Sequence, residues 1–162
     1  NPKGSIDSNE INKALEINSL SHWRLIQIFE DLAQKENNLK NYNPKEIWVN
    51  TSEAEFQIAF SPVYEITKRL IGEIVSLKQS KLLIEKSNAL VIKKLILGPF
   101  KSKLNPQGLL SPDFVAKKII KKAEKENYLI IVTPNPITYL FMPIIECIRI
   151  LYSRFINRIY SK

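Results

Sequence analysis

Cysteine, histidine and glycine are all scarce in this 162-residue sequence, which contains one Cys, one His and four Gly. A single cysteine, Cys147, excludes an internal disulfide and a cysteine-based zinc site. A Ser-His-Asp triad or a histidine-rich metal site would depend on His22, which lies in an apolar-periodic segment typical of an ordinary helix. The sequence therefore predicts no metal site, and its low cysteine content is typical of a cytoplasmic protein.

The sequence also lacks an uncharged apolar run of about 20 residues, the length that a membrane-spanning helix needs. It is 44% hydrophobic and 25% charged, and its length suits one globular domain. The net charge of +8 is typical of nucleic-acid or anionic-membrane binding, but a general compositional bias toward Lys, Ile and Asn is the favoured explanation. The basic residues Lys117, Lys118, Lys121 and Lys122 have no accompanying aromatic platform, so nucleic acid is not an expected partner.

Hydrophobic periodicity alternates along the chain between helical and strand spacing. Helices are expected over 8–34, 61–80 and 112–123, behind Ser8, Ser61 and Ser111 as caps. Strands are expected over 46–50, 89–97 and 128–132, with loops over 51–60 and 100–110. Ile17, Leu20, Ile28 and Leu32 hold the helical period of the first helix, and Ile66, Leu77, Phe114 and Ile120 are among the positions expected to face inward. Such alternation predicts an α/β fold with about three parallel strands and flanking helices.

The C-terminal stretch 137–162 is apolar at helical spacing and basic toward its end. Glu146 and Arg149 lie in its middle, so it is not predicted to span a membrane. Two interpretations remain open for it. It could be an amphipathic helix at a membrane surface, or a helix that packs on its own domain or on a dimer partner. The sequence is accordingly divided into a domain over 1–136 and a basic amphipathic helix over 137–162.

Tyr64 and Lys68 are the candidate catalytic pair. At a spacing of four they share one helix face, where an ammonium favours ionisation of a phenol. Thr51 lies at the end of a predicted strand, thirteen residues before Tyr64. Ser52 directly follows Thr51. Asn18 lies in the preceding helix, where its side-chain amide could hold a water leading to the lysine. Because lysine is abundant in this chain, the pair gains significance only from these neighbours.

This set of residues resembles the catalytic half of the short-chain dehydrogenase/reductase family, over about residues 6–132. The family's Tyr-x-x-x-Lys is Tyr64-Glu65-Ile66-Thr67-Lys68, its catalytic serine matches Thr51 or Ser52, and its helix asparagine matches Asn18. Its Pro-Gly-x-x-x-Thr matches Leu97-Gly98-Pro99-Phe100-Lys101-Ser102. A later Pro-x-x-Val-Ala helix matches Pro112-Asp113-Phe114-Val115-Ala116.

The resemblance implies part of a Rossmann-like doubly wound sheet and an oxidoreductase that uses NAD or NADP on a carbonyl or a secondary alcohol. Tyr64 would be the general acid/base and Lys68 its activator. Gly98, Pro99 and Ser102 would face the nicotinamide, together with Tyr64 and Lys68. It also implies a homo-oligomer through the helices at 8–34 and 61–80.

One departure from the family is large: no Gly-x-x-x-Gly-x-Gly turn, which binds the pyrophosphate, occurs in the sequence. Asn1-Pro2-Lys3-Gly4 is similar to the residues that follow the family's fourth strand. The expectation is a truncated and therefore inactive enzyme. The alternative is a non-catalytic binding or membrane-surface module of the same fold.

Glu53 and Glu55 lie in the predicted loop after the first strand, and they are interpreted as solvated charges.

Overall fold

Three parallel strands form one sheet in the computed structural model, which describes residues 7–37, 43–59, 61–85, 89–103, 105–125 and 127–160. The strands are β1 (Lys45–Ser52), β2 (Leu90–Leu97) and β3 (Leu129–Val132), in the spatial order β1-β2-β3. Helices α1 (Ser8–Leu15), α2 (Ser21–Asn37), α3 (Pro62–Ile84), α4 (Pro112–Ala123) and α5 (Pro136–Tyr160) flank it. The predicted α/β class with three parallel strands is thus confirmed. Asn1-Pro2-Lys3-Gly4 lies outside the described residues.

The central strand β2 is buried along nearly its whole length, which explains its continuous apolar sequence. Ile92 packs with the core of α2 and α3, and Ile96 packs with Met142 of α5. Leu95 and Leu97 pack instead with the residues of α4. Helices therefore cover both faces of the sheet.

The predicted helix starts are correct at two of three positions. The hydroxyls of Ser61 and Ser111 accept hydrogen bonds from backbone N–H groups in the first turns of α3 and α4, and each helix has proline at its start. The first helix is capped by Asp7 rather than by Ser8, because the Asp7 carboxylate accepts from the N–H of Asn9.

Three element bounds differ from the sequence-based expectation. Strand β1 continues through Thr51 and Ser52, because both pair with β2, so the loop predicted from residue 51 starts later. Helix α3 continues to Ile84. The first helical segment continues to Asn37, and a π turn (Glu16–Leu20) separates α1 from α2.

The inward faces of the second and third predicted helices were wrong at several positions, because Ile66, Leu77, Phe114 and Ile120 are exposed. In the first helical segment Ile17, Leu20, Ile28 and Leu32 are exposed as well. Helix α3 instead buries polar residues such as Lys78, which pairs with Glu30 of α2. A buried polar side chain of this kind needs a partner on another helix or strand. The spacing of apolar residues within one helix cannot predict such a partner. A homo-oligomer through the exposed faces of these helices stays a prediction.

Helix α5 packs against α3 and β3, and its separation from residues 1–136 stays a prediction. Within the described ranges, no helix is long and apolar enough to cross a membrane.

Candidate functional site

Tyr64 and Lys68 lie on one face of the first turns of α3, as their spacing predicts. The Lys68 ammonium is 5.6 Å from the centroid of the Tyr64 ring. Tyr64 is 39% exposed, whereas Lys68 is only 8% exposed. A buried cation thus lies behind a phenol that solvent or a ligand can reach.

Lys68 is largely buried, and among the residues that the structure describes none hydrogen-bonds or ion-pairs with its ammonium. Burial lowers the pKa of Lys68 below its ordinary value, and the negative charge of Glu55 partly opposes that shift. An ammonium left in this condition is available to a ligand hydroxyl and to the Tyr64 phenol.

His22, interpreted from sequence as an ordinary helix residue, lies within electrostatic reach of Lys68. Its pKa is lowered first by burial and second by the positive charge of Lys68. Both effects favour the neutral imidazole of His22. Three elements thus face the ammonium: α2 with His22, α3 with Tyr64, and the short 3-10 turn (Glu53–Glu55) with Glu55.

The π turn brings the Asn18 segment against the first turns of α3, which carry Tyr64 and Lys68. Asn18 lies in this turn, and the hydroxyl of its neighbour Ser19 donates a 2.7 Å hydrogen bond to the carbonyl of Thr67, the residue before Lys68. Ser19 is completely buried. Single π turns inside helices occur frequently at functional sites. A role for Asn18 near Lys68 stays a prediction, and this contact supports it.

The two candidate hydroxyls at the end of β1 have different environments. Thr51 is buried, and its hydroxyl donates to the carbonyl of Leu95 at 3.0 Å. Ser52 is half-buried, and its oxygen accepts from the N–H of Ala54 at 3.2 Å. The proton of Ser52 remains free to reach a substrate oxygen, whereas that of Thr51 is already used. The geometry therefore favours Ser52, although the family spacing favours Thr51.

Gly98, Pro99 and Ser102 follow β2 as predicted, but each has a structural contact of its own. A side chain on Gly98 would place its Cβ 2.4 Å from the hydroxyl oxygen of Thr133, so Gly98 permits close packing of β2 against the end of β3. The Pro99 carbonyl accepts from the N–H of Leu109, and Ser102 caps a turn at Asn105. Their role at a nicotinamide stays a prediction.

A buried ionic cluster that periodicity did not reveal lies beside this site. The ammonium of Lys94, fully buried in β2, is 2.7 Å from Glu55 and 2.6 Å from Glu146 of α5. Arg149 of α5 contacts the same two carboxylates at 2.9 and 2.8 Å, and it also pairs with Glu73 at 2.7 Å. The interpretation of Glu55 as a solvated charge was therefore wrong.

Gly72 explains how Glu55 reaches this position. A Cβ at Gly72 would lie 2.0 Å from Glu55 Oε2, so only glycine leaves room for the carboxylate. Along α3, Tyr64, Lys68, Gly72 and Ser76 follow one another at a spacing of four and form one polar stripe. Glu55 Oε1 is buried and has no hydrogen-bond partner among the described residues. Glu55 thus connects the ionic cluster electrostatically to Lys68.

Glu53 was also wrongly interpreted as a solvated charge. The hydroxyls of Thr133 and Thr138 both donate to its Oε1 atom. Gln57 extends this contact, since its amide donates to the Thr138 hydroxyl at 3.2 Å and accepts from Asn135 at 3.0 Å. These bonds join the end of β1 to the start of α5. Within the described residues, no group of three or more His, Cys, Asp or Glu side chains could hold a metal ion.

Comparison with known proteins gives one sequence relative and a structural neighbour. No protein-family model matches the chain. The chain is 46% identical over 148 residues to a Synechocystis protein named monoglucosyldiacylglycerol epimerase. The aligned region covers 91% of this chain. The chain spans 34% of the length of that relative.

A solved structure of a candidate short-chain dehydrogenase from Novosphingobium aromaticivorans superposes with a TM-score of 0.67. The superposition covers 99% of this chain and 63% of the other, at 16% sequence identity. This likeness shows that the chain has the fold of part of a short-chain dehydrogenase.

Proposed function

We propose that Tyr64, assisted by Lys68, is the general acid/base of an enzyme that acts on a secondary alcohol of a sugar attached to a diacylglycerol lipid. The observation that carries this proposal is the buried Lys68 ammonium, without an acceptor among the described residues, behind the exposed Tyr64 ring. The lipid sugar is suggested by the 46% identity to a monoglucosyldiacylglycerol epimerase.

The chain's own residues would carry out the proton transfer. Tyr64 would accept the proton of a substrate hydroxyl, and the positive charge of Lys68, 5.6 Å from the centroid of the ring, would stabilise negative charge that develops on the phenol oxygen. The free hydroxyl proton of Ser52 can hydrogen-bond the same substrate oxygen and hold it near the phenol. Burial lowers the pKa of Lys68, and the negative charge of Glu55 opposes that shift by favouring the cationic form.

The described residues fit one half of NAD or NADP. Lys68 and Tyr64 would hold the hydroxyls of the nicotinamide ribose, and the bound nicotinamide would accept or return a hydride. Gly72, Gly98 and Gly108 pack against the chain's own atoms, so none of them provides a cradle for the pyrophosphate. Residues for the pyrophosphate are therefore not assigned in this chain.

Epimerisation and dehydrogenation use the same proton transfer, and we favour epimerisation. In an epimerase, Tyr64 would accept the O–H proton while the hydride of the carbinol carbon would pass to a bound nicotinamide. The resulting ketone would have to turn over in the site so that its opposite face receives the same hydride, and Tyr64 would return the proton to oxygen. No net oxidant would be consumed, whereas a dehydrogenase would accumulate one reduced cofactor for each product.

The test uses a protein form that converts monoglucosyldiacylglycerol, with chromatographic separation of the released sugars as the readout, because epimers have the same mass. Tyr64→Phe should lower turnover by about 10²- to 10⁴-fold, the usual contribution of a general acid/base. Tyr128→Phe, also at an exposed tyrosine, is the matched control and should retain parental turnover. Turnover of Tyr64→Phe within twofold of the parent would disprove the assignment, and stoichiometric reduced cofactor would favour a dehydrogenase over an epimerase.

A further inference from the structure

Helix α5 turns its polar side toward the domain and its apolar side outward. The inward residues Thr138, Met142, Glu146 and Ser153 are buried, and Arg149 joins the ionic cluster. Nine apolar residues at helical spacing share the opposite side and are between 47% and 63% exposed. We call this set the α5 apolar face: Ile137, Leu140, Phe141, Ile144, Ile148, Leu151, Tyr152, Phe155 and Ile159.

The ionic cluster makes this arrangement possible. Glu146 and Arg149 interrupt the apolar sequence of α5, but their charges are directed inward and paired with Lys94, Glu55 and Glu73. The outer side therefore carries neither charge. From Ile137 to Ile159 the face extends over 22 residues, about 33 Å at a rise of 1.5 Å per residue. Contiguous exposed apolar surface of this extent marks an interaction site.

The width and composition of the face distinguish a lipid surface from a helix partner. A two-helix seam requires apolar residues at only two positions in each heptad. This face is wider, because Leu140, Tyr152 and Ile159 add to such a seam, and it contains three aromatic residues. Aromatic side chains and broad apolar faces are typical of helices that lie in the membrane interface.

The sequence that follows Glu146 is basic, which suits an anionic lipid surface. After Glu146 the sequence of α5 contains no acidic residue, whereas Arg154, Arg158 and Lys162 follow. Arg154 is exposed. Basic residues beside an apolar interfacial helix are attracted to anionic headgroups.

We propose that the α5 apolar face docks onto the surface of a lipid bilayer, with its basic end at the headgroups. The choice of lipid rests in part on the proposed function, since a substrate that carries two acyl chains resides in a bilayer. Docking there would bring the domain that carries Tyr64 to the membrane.

The test measures co-sedimentation of the chain with phosphatidylcholine vesicles, with and without phosphatidylglycerol, in the absence of substrate. We expect stronger binding to the anionic vesicles, with a component that falls as salt is added. Leu151→Asp and Phe155→Asp should each lower the partition coefficient at least about tenfold, because each removes apolar burial from the interface. Leu109→Asp, at an exposed loop leucine outside the face, should bind like the parent.

Light scattering after size-exclusion chromatography measures the molar mass in solution and thereby tests the competing occupant of the α5 apolar face, a second copy of the chain. A dimer that Leu151→Asp dissociates, together with no vesicle binding, would assign the face to a second copy and overturn the proposal. Equal loss of binding in Leu109→Asp, or no loss in either α5 variant, would also overturn it. Circular dichroism checks that the variants remain folded. Since no turnover is measured, failure here leaves the assignment of Tyr64 intact, and failure of Tyr64→Phe leaves the membrane test intact.

Discussion

Two buried lysines, Lys94 and Lys68, lie close to the same carboxylate and have opposite environments. The Lys94 ammonium has four partners within 3.0 Å, which are Glu55, Glu146, the Ser76 hydroxyl and the Gly72 carbonyl. The Lys68 ammonium has no acceptor among the described residues, and only the ring of Tyr64 lies over it.

The difference separates a structural lysine from a candidate functional one. Burying a charge costs free energy, which ion pairs and hydrogen bonds offset at Lys94. At Lys68 the cost is not offset in the same way, so stability does not explain its position. Perturbed, incompletely compensated groups of this kind cluster at functional sites. The contrast can be tested by changing each lysine and the groups that position them.

The largest effect on stability is expected for Lys94→Met. This change leaves Glu55 and Glu146 buried with only Arg149 between them. Breaking one partner out of a buried ion pair costs about 3–5 kcal/mol. Urea denaturation followed by circular dichroism should show that loss, and Lys117→Met at an exposed position of α4 should change stability little. If the free energy of unfolding falls by less than about 1 kcal/mol, Lys94 contributes no more to stability than an ordinary surface lysine, and the prediction is wrong.

Gly72→Ala should have the next largest effect. The new Cβ would meet Glu55 Oε2 at 2.0 Å, so the carboxylate must move away from Lys94. Overpacking costs about 1–3 kcal/mol, against a gain of about 1 kcal/mol in helix propensity. We expect a net loss of unfolding free energy, measured by the same urea titration. In a double-mutant cycle the change should be strongly non-additive with Glu55→Ala, which removes the atoms that the new Cβ would meet, and simple additivity would show that the two residues do not interact.

The order of elements, the serine caps and the shared face of Tyr64 and Lys68 could all be predicted, because each follows from residues close together in sequence. The ionic cluster could not, since Lys94 is 39 residues from Glu55 and 52 from Glu146. Helical periodicity counts a glutamate in an apolar helix as an interruption. In α5 the charged residues that interrupt the apolar sequence lie on the buried side, and most apolar residues lie on the exposed side.

The π turn was missed for a related reason. The sequence 16–20 continues a helical pattern, and the turn is recognised only by the contact of Ser19 with Thr67. Likewise, spacing alone favoured Thr51 over Ser52. Only the three-dimensional position of the Leu95 carbonyl shows that the Thr51 hydroxyl is already used.

Thr51→Val and Ser52→Ala sharpen that distinction with a smaller effect on stability. Thr51→Val removes the hydrogen bond to Leu95 and should lower the unfolding free energy by about 1 kcal/mol. In a form that converts substrate, turnover should change little. Ser52→Ala should lower turnover more than Thr51→Val does. If Thr51→Val lowers turnover and Ser52→Ala does not, the substrate hydroxyl contact belongs to Thr51.

Lys68→Met should have the smallest effect on stability, and its sign should oppose that of Lys94→Met. Removing a buried charge that has no acceptor among the described residues removes its desolvation cost, so the variant should be as stable as the parent or slightly more stable at pH 7. The pKa of Lys68 is lowered from its ordinary value of 10.5 in the folded chain. Between the folded and unfolded pKa values the unfolded parent therefore binds more protons, and parental stability rises with pH in that window. Urea titrations from pH 7 to pH 10 should show any advantage of Lys68→Met shrinking as pH increases. A loss of stability comparable to that of Lys94→Met would show that Lys68 is a structural cation as well, and the contrast between the two lysines would fail.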